Sequence, residues 1–361
     1  MKQRLRVAVS LAVTAFFLWL ALRGVVWIDV WRHLRTANWL YLALSAFVGT
    51  VAVHVRALRW KTLLAPVDPR VAFHPRVAGA AVGFAANNLI PARVGEVVRA
   101  VVTARLAKLP VSAVFASLVV ERVLDGLVTV VLLFGVMALP GFPSPERAAA
   151  ALAVVRVVAL VMAVAGLVLI ALALLPGPAV ALAERTVANL LPRRLRGPFI
   201  ARLNEFIAGL AVLRNPRLLA LSVGWAVAQW LFLPLSIYFG FLAFGIHEPG
   251  YTGAVFLQTA INLAVAVPSS PGFFGPLEAA ARFGLGLWGV DETRAVSFAI
   301  GWHLAGYLGV TLLGLWYVQR LDLSWRELIG TAEKVEHGDP APSSPVDPPR
   351  AGSAPVDARR G

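Results

Sequence analysis

The sequence contains no cysteine. That excludes disulfides, thiolate nucleophiles and cysteine-based metal sites. Charge is scarce as well: 14% of the 361 residues are charged, against 59% hydrophobic. A soluble domain of this length has no use for so much apolar surface, so lipid is the expected solvent. Strand signals are missing too. Ala, Leu and Val fill long runs without alternation, which predicts an all-α membrane protein. The six histidines, His33, His54, His74, His247, His303 and His337, are scattered. None stands in H-E-x-x-H or another metal spacing, and His303 reads as a packed or hydrogen-bonded residue of its span. There is no Walker-A sequence, so direct ATP-driven pumping is not expected. "GLGLWG" (284–289) matches G-x-G-x-x-G but lies in an apolar segment with no strand before it. The expectation is therefore no metal and no cofactor.

What is present is a series of apolar runs near the roughly 20 residues that cross a bilayer as helix. Full spans are expected at about 7–25, 39–58, 111–139, 151–175, 218–245 and 294–318. The first run follows Lys2, Arg4 and Arg6 like a signal peptide, but Arg23 and Gly24 stand where a cleavage site would be, so it reads as an uncleaved span. Two further stretches, about 76–106 and 251–288, are broken near their middles by Pro and Gly. Residues 176–217 form a long connection. Within it Phe199, Ile200, Leu203, Phe206, Ile207, Leu210 and Leu213 recur at helical spacing, as in an amphipathic interfacial helix. Residues 331–361, rich in Pro, Ser, Gly and charge, read as a disordered cytoplasmic tail.

The net charge of +14 invites a nucleic-acid reading. The basic residues instead gather in loops, as orientation signals and contacts for anionic lipid, so no nucleic acid is expected. Arg56, Arg59, Lys61, Arg70 and Arg76 follow the second span, and seven arginines from Arg185 to Arg217 fill the long connection. Positive-inside then puts both termini in the cytoplasm of a multi-pass cell-membrane protein. It also makes both broken stretches enter and return, because a full crossing at 76–106 would move Arg99, Arg105 and Lys108 outside. The expected fold is an all-α polytopic membrane protein with six full spans and two re-entrant helical hairpins, eight membrane segments in all. Its halves, about 1–140 and 150–320, form an inverted repeat.

The two broken stretches, "NNLIPARVGEVVRA" (87–100) and "NLAVAVPSSPGFFGPLEAAARF" (262–283), share an order: Asn, apolar residues, Pro, Gly, Glu, then a helix-forming segment with Arg. Pro91 and Pro271 would each start a returning half-helix, whose free N–H groups and positive dipole end favour an anion. Asn87, Asn88 and Asn262 can satisfy backbone opened at the turns, and Gly95 and Gly272 give the tips room. Charges within lipid cost about 2.5–3.5 kcal/mol each, so Arg93, Glu96, Arg99, Glu278 and Arg282 must meet partners, water or a ligand. The same holds for Glu121, Arg122 and Asp125 in "ERVLDG", where the two acids lie one turn apart. An interhelical ion-pair clamp and direct headgroup contact both account for these charges. Arg56 and Arg59 read as snorkelling to phosphates from the end of the second span.

The elements "ALRW" (57–60), "NNLIPARVGEVVR" (87–99), "ERVLDG" (121–126) and "PSSPGFFGPLE" (268–278) resemble the lysylphosphatidylglycerol synthase transmembrane-region family, a flippase-like domain. The resemblance covers residues 1 to about 320. It implies a fold of two half-domains that moves a lipid between leaflets. Members with aminoacyl-lipid activity carry a large soluble synthase domain after this region, where this chain has its short tail, so aminoacylation is not expected of it. The leading reading is thus a flippase or scramblase, not an enzyme, for an anionic phospholipid or polyprenyl-phosphate lipid. Arg93 and Arg99 would hold phosphate, and Glu96, Glu278 and Asp125 would balance them. The alternatives are an integral membrane enzyme with Glu96 or Glu121 as base, or an accessory subunit of a synthase or glycosyltransferase.

Overall fold

A computed structural model describes residues 2–90, 94–140, 142–143, 149–186, 193–265 and 270–336. Among the described residues every regular element is helical. In the first half these are α1 (Lys2–Leu22), α2 (Trp27–Thr36), α3 (Trp39–Leu64), α4 (Phe73–Leu89), α5 (Gly95–Ala107) and α6 (Val111–Met137). There follow α7 (Ala149–Leu174), α8 (Pro176–Thr186) and α9 (Arg193–Gly209). The second half adds α10 (Pro216–Phe232), α11 (Pro234–Ala243), α12 (Gly250–Ala264), α13 (Pro276–Gly286), α14 (Glu292–Arg320) and α15 (Trp325–Glu336).

Local chemistry sets these limits. Asn38 caps α3 by accepting from Leu40 N–H at 3.1 Å, and Asp291 caps α14 through Arg294 N–H at 3.0 Å. Asn215 caps α10, with Pro216 in the first turn where a missing N–H is no loss. Pro234 cannot donate to the turn before it, and the chain breaks there between α10 and α11.

Among the described residues three helical segments are long and apolar enough to cross a bilayer: Trp39–Leu64, Pro216–Ala243 and Glu292–Arg320. Two bent pairs raise the number to five if each is one span: α1 with α2, bent by 83°, and α7 with α8, bent by 102°. With 27 residues, α6 is long enough as well, but it carries Glu121, Arg122 and Asp125. The expected span at 39–58 is too short: α3 continues to Leu64, so Arg56 and Arg59 lie inside the helix rather than at its end.

Both broken stretches fold back. A Cβ on Gly83 would sit 2.7 Å from Gly95 O and 2.8 Å from Arg99 Cβ, while Gly79 faces Thr103, so α4 and α5 run antiparallel in close contact. In the second stretch Leu257 of α12 meets Gly284 of α13. The first hairpin packs on α3, α14 and α15, the second on α1, α11 and α14. Gly314 of α14 lies against Ala81 and Ala85 of α4, small residues that let two helices approach closely. The outer faces of α7 and α14, with Leu160, Leu167, Leu308 and Leu312, stay exposed and apolar. The amphipathic segment of the connection is helical, as its spacing predicts. Ile207 and Leu210 are buried in the packing of α9 and the 3₁₀ turn after it against α6, so its apolar face is covered by protein there. Residues 331–336, expected in the tail, are the last turns of α15.

Candidate functional site

Two helical stripes of polar residues join the helices of the core. On α6, Ser117, Glu121, Asp125 and Thr129 recur every four residues and therefore line one face. Each holds another helix. Trp60 Nε1 of α3 donates to Ser117 Oγ at 2.9 Å. Arg99 of α5 grips both oxygens of Glu121, at 2.9 and 3.0 Å, and its guanidinium lies 3.9 Å from the centre of the Trp60 ring. Arg56 Nη1 reaches Glu121 Oε1 at 3.1 Å, and its Nη2 stands 3.8 Å from Asp125 Oδ2. Asp125 Oδ1 accepts from Arg59 and, at 2.8 Å, from Trp230 Nε1 of α10. Asn262 of α12 donates to Thr129 Oγ1 at 3.3 Å.

All five charged residues of this cluster are buried. Among the described residues three arginines face two carboxylates, so the described cluster carries one surplus positive formal charge. Burying ions is expensive, and pairing plus hydrogen bonds repay it only where the geometry is good. Arg99 and Arg59 meet Glu121 and Asp125 directly, while Nε of each arginine and Asp125 Oδ2 have no hydrogen-bond partner among the described residues. Arg56 is the member that also lines a cavity of about 210 Å³, shared with Gly49, Ala52, Gln229, Trp230, Gln258 and Asn262. Gln229 is 1% exposed, and its Oε1 has no hydrogen-bond partner among the described residues. A space of this size far exceeds the roughly 10–15 Å³ that admits one water, yet is smaller than the roughly 300 Å³ at which drug-sized sites begin.

The second stripe is on α14: His303, Tyr307 and Thr311, again one turn apart. His303 Nδ1 meets Glu278 Oε1 at 2.6 Å and its Nε2 meets Gly272 O at 2.8 Å. Tyr307 Oη donates to Asn88 O at 3.2 Å, and Thr311 Oγ1 accepts from Asn88 Nδ2 at 2.8 Å. This helix therefore holds the tips of both hairpins.

Several expected roles change. Asn87 does close the first turn, accepting from Gly95 N–H at 2.9 Å, but Asn88 and Asn262 tether their hairpins to α14 and α6 instead. Arg99, expected on phosphate, is taken up by Glu121 and Trp60. Glu96 pairs with Arg122 in a half-exposed bridge away from Glu121 and Asp125. The second returning helix begins at Pro276, not Pro271, which opens a 3₁₀ turn; Gly272 there has φ +73°, a backbone that suits glycine. Glu278 accepts from Gly275 N–H at 2.6 Å and caps α13. Pro91 and Arg93 lie outside the described residues. The snorkelling reading of Arg56 and Arg59 is overturned, since both are buried and paired. Their i, i+3 spacing before Trp60 was the available signal. Among the described residues no group of three His, Asp or Glu is placed to hold a metal.

Comparison with known proteins supplies the lineage. The chain is similar to a UPF0104 membrane protein of Methanothermobacter thermautotrophicus, 24% identical over 318 residues, covering 82% of this chain and 88% of the relative. It is also similar to a UPF0104 membrane protein of Methanocaldococcus jannaschii, 25% identical over 232 residues, covering 63% of this chain and 90% of the relative. No solved structure matches it. The family model described as lysylphosphatidylglycerol synthase TM region matches residues 7–314, a range that contains both hairpins, the arginine cluster and the cavity. The chain belongs to that family of membrane proteins.

Proposed function

We propose that this protein moves an anionic lipid, a phospholipid or a polyprenyl-phosphate-linked lipid, between the leaflets of the cell membrane. The observation that carries this reading is the surplus positive charge of the buried cluster, placed at Arg56 on the wall of a headgroup-sized cavity. A phosphate there would complete the charge balance and receive charge-assisted hydrogen bonds from Arg56. Gln229, Gln258 and Asn262 on the same wall would orient the rest of the headgroup. Acyl chains would remain in the bilayer, since the cavity has no room for them.

In this proposal the two hairpins are re-entrant. At 1.5 Å per residue, α4 and α5 measure about 25 and 20 Å, and α12 and α13 about 22 and 17 Å. None spans a hydrocarbon core of about 30 Å alone. The halves 1–140 and 150–320 are an inverted repeat, which the matching positions of α6 and α14 support: each follows a hairpin and touches both. Both termini and the connection 176–217 lie in the cytoplasm, where the connection's arginines meet anionic headgroups. Rocking of one half against the other exposes the cavity to each leaflet in turn. A synthase or glycosyltransferase that makes or consumes the lipid is the expected protein partner.

The test is movement of labelled phosphatidylglycerol in liposomes containing the purified protein, followed by an impermeant quencher. Faster movement than in protein-free liposomes is expected for phosphatidylglycerol and not for phosphatidylcholine. Failure to move either phosphatidylglycerol or a polyprenyl phosphate sinks the reading.

A further inference from the structure

Where the second hairpin meets α14 lies a pair of titratable groups that the headgroup cavity does not use. Glu278 is 3% exposed and His303 6%. His303 bridges two acceptors, Glu278 Oε1 at 2.6 Å through Nδ1 and Gly272 O at 2.8 Å through Nε2. A backbone carbonyl has no hydrogen to give, so Nε2 must carry one. The contact between Nδ1 and Oε1 then needs a hydrogen of its own, on the ring as imidazolium or on the carboxyl as acid. Either way the pair holds one proton more than carboxylate plus neutral imidazole.

Removing that proton has a geometric consequence. A neutral ring has a single N–H. If it points to Gly272 O, the Nδ1 lone pair faces a carboxylate; if it points to Glu278, the Nε2 lone pair faces a carbonyl. One of the two contacts must open. Glu278 also accepts from Gly275 N–H, so both contacts reach the tip formed by residues 270–275. That tip touches α4, and Tyr307, one turn along from His303, reaches Asn88 at the first tip. Protonation therefore bears on the joint between the two halves.

The other ionisable groups on the surrounding elements are engaged elsewhere. Arg282, one turn on along α13, donates to Leu20 O, Ala21 O and Arg23 O and pairs with Glu292. His33 of α2 bonds Ser297 Oγ, and Tyr307 bonds Asn88 O. On α3, His54 lies within reach of Thr50 O, and Arg76, near the start of α4, donates to Ala57 O and Ala72 O. The described side chains of α1 (11–22) and those of α12 include no charge. Glu278 also faces a second cavity of about 110 Å³ lined by Leu18, Leu22, Trp27, Phe274, Ile300 and Leu304.

We infer that Glu278 and His303 form a proton-binding site that couples lipid movement to a proton gradient. This rests on the lipid-moving reading above. With the proton bound, His303 clamps the tip. Its transfer to water on the open side leaves carboxylate and neutral imidazole, frees one contact and lets the halves rock. Rebinding a proton from the other face restores the clamp.

The experiment follows labelled phosphatidylglycerol in liposomes holding wild type, E278Q or H303Q, with and without an imposed pH gradient. Wild type is expected to respond to the gradient. E278Q keeps a donor for Nδ1 and an acceptor for Gly275 N–H but cannot release a proton. It should move lipid at least tenfold more slowly, with no response to the gradient, and H303Q should lose the response as well. A wild-type-like response in E278Q overturns the coupling. Wild type that moves lipid indifferently to the gradient also overturns it and leaves the lipid reading intact; wild type that moves no lipid sinks both. Independently of transport, nitrogen NMR of labelled histidine, assigned with H303Q, and the carboxylic-acid infrared band, assigned with E278Q, count the proton. An imidazolium or a protonated Glu278 is expected. A neutral ring beside an ionised carboxylate overturns the site.

Discussion

Tyr307 Oη donates to the main-chain oxygen of Asn88 at 3.2 Å, although 219 residues separate them. The ring of the same tyrosine lies 5.8 Å from that of Phe274 in the other hairpin. One side chain thus reaches both tips. Tyr307→Phe keeps the ring and removes only the hydrogen bond, which should cost about 1 kcal/mol. Tyr307→Ala also removes the packing and should cost about 3–5 kcal/mol. Thermal unfolding in detergent compares them, and equal losses would assign no weight to the ring.

The arginines of the cluster should separate by role. Arg59→Gln leaves Asp125 buried with less compensation and should destabilise the protein by about 3–5 kcal/mol. Arg56→Gln should fold, because Glu121 keeps Arg99 and Asp125 keeps Arg59 and Trp230. Its lipid movement should drop by about tenfold or more, as expected when a hydrogen bond to a charged group worth about 1.5–3 kcal/mol is lost. Arg56→Gln with wild-type transport would remove the cavity from the mechanism.

The pair of Arg99 and Glu121 should resist a conservative exchange. Lysine at 99 keeps the charge but loses the two-pronged grip and the flat face against Trp60. Loss of about 1–3 kcal/mol is expected. Combining Arg99→Gln with Glu121→Gln should cost less than the two single changes added, since no unpaired charge remains.

Glycines should differ by surroundings. Gly95→Ala would drive a methyl group into Gly83 O and the Asn87 side chain, and overpacking of this kind costs about 1–3 kcal/mol. Gly224→Ala in α10 meets nothing within 4 Å and should gain up to about 1 kcal/mol of helix propensity. Melting temperatures that move in the same direction would contradict this account of the first hairpin.

The topology can be read with single cysteines, because the chain has none. Arg105→Cys, on the exposed end of α5, should react with an impermeant thiol reagent only from the cytoplasm. Gly286→Cys, in open space near the end of α13, should react only from outside. Labelling of both positions from one face would defeat the re-entrant proposal.

Sequence alone determined the solvent, the helical class, the two interrupted segments and the family, because these depend on composition, run length and local punctuation. The pairing of Asn87 with its own turn was legible for the same reason: the groups are eight residues apart. Arg56 and Arg59 were misplaced because hydropathy sets a span's end at the first charges, whereas α3 continues to Leu64 once α6 supplies Glu121 and Asp125 as partners. The fourfold spacing of Ser117, Glu121, Asp125 and Thr129 was visible, but not that it faces four different helices. His303 was legible as a packed or hydrogen-bonded residue of its span, but its partners were not. Its meaning comes from Glu278 and Gly272, 25 and 31 residues away, brought to its two nitrogens by the fold of the second hairpin. Which charges balance, and which one is left over at the cavity, depends on distances across the chain that only the tertiary structure decides.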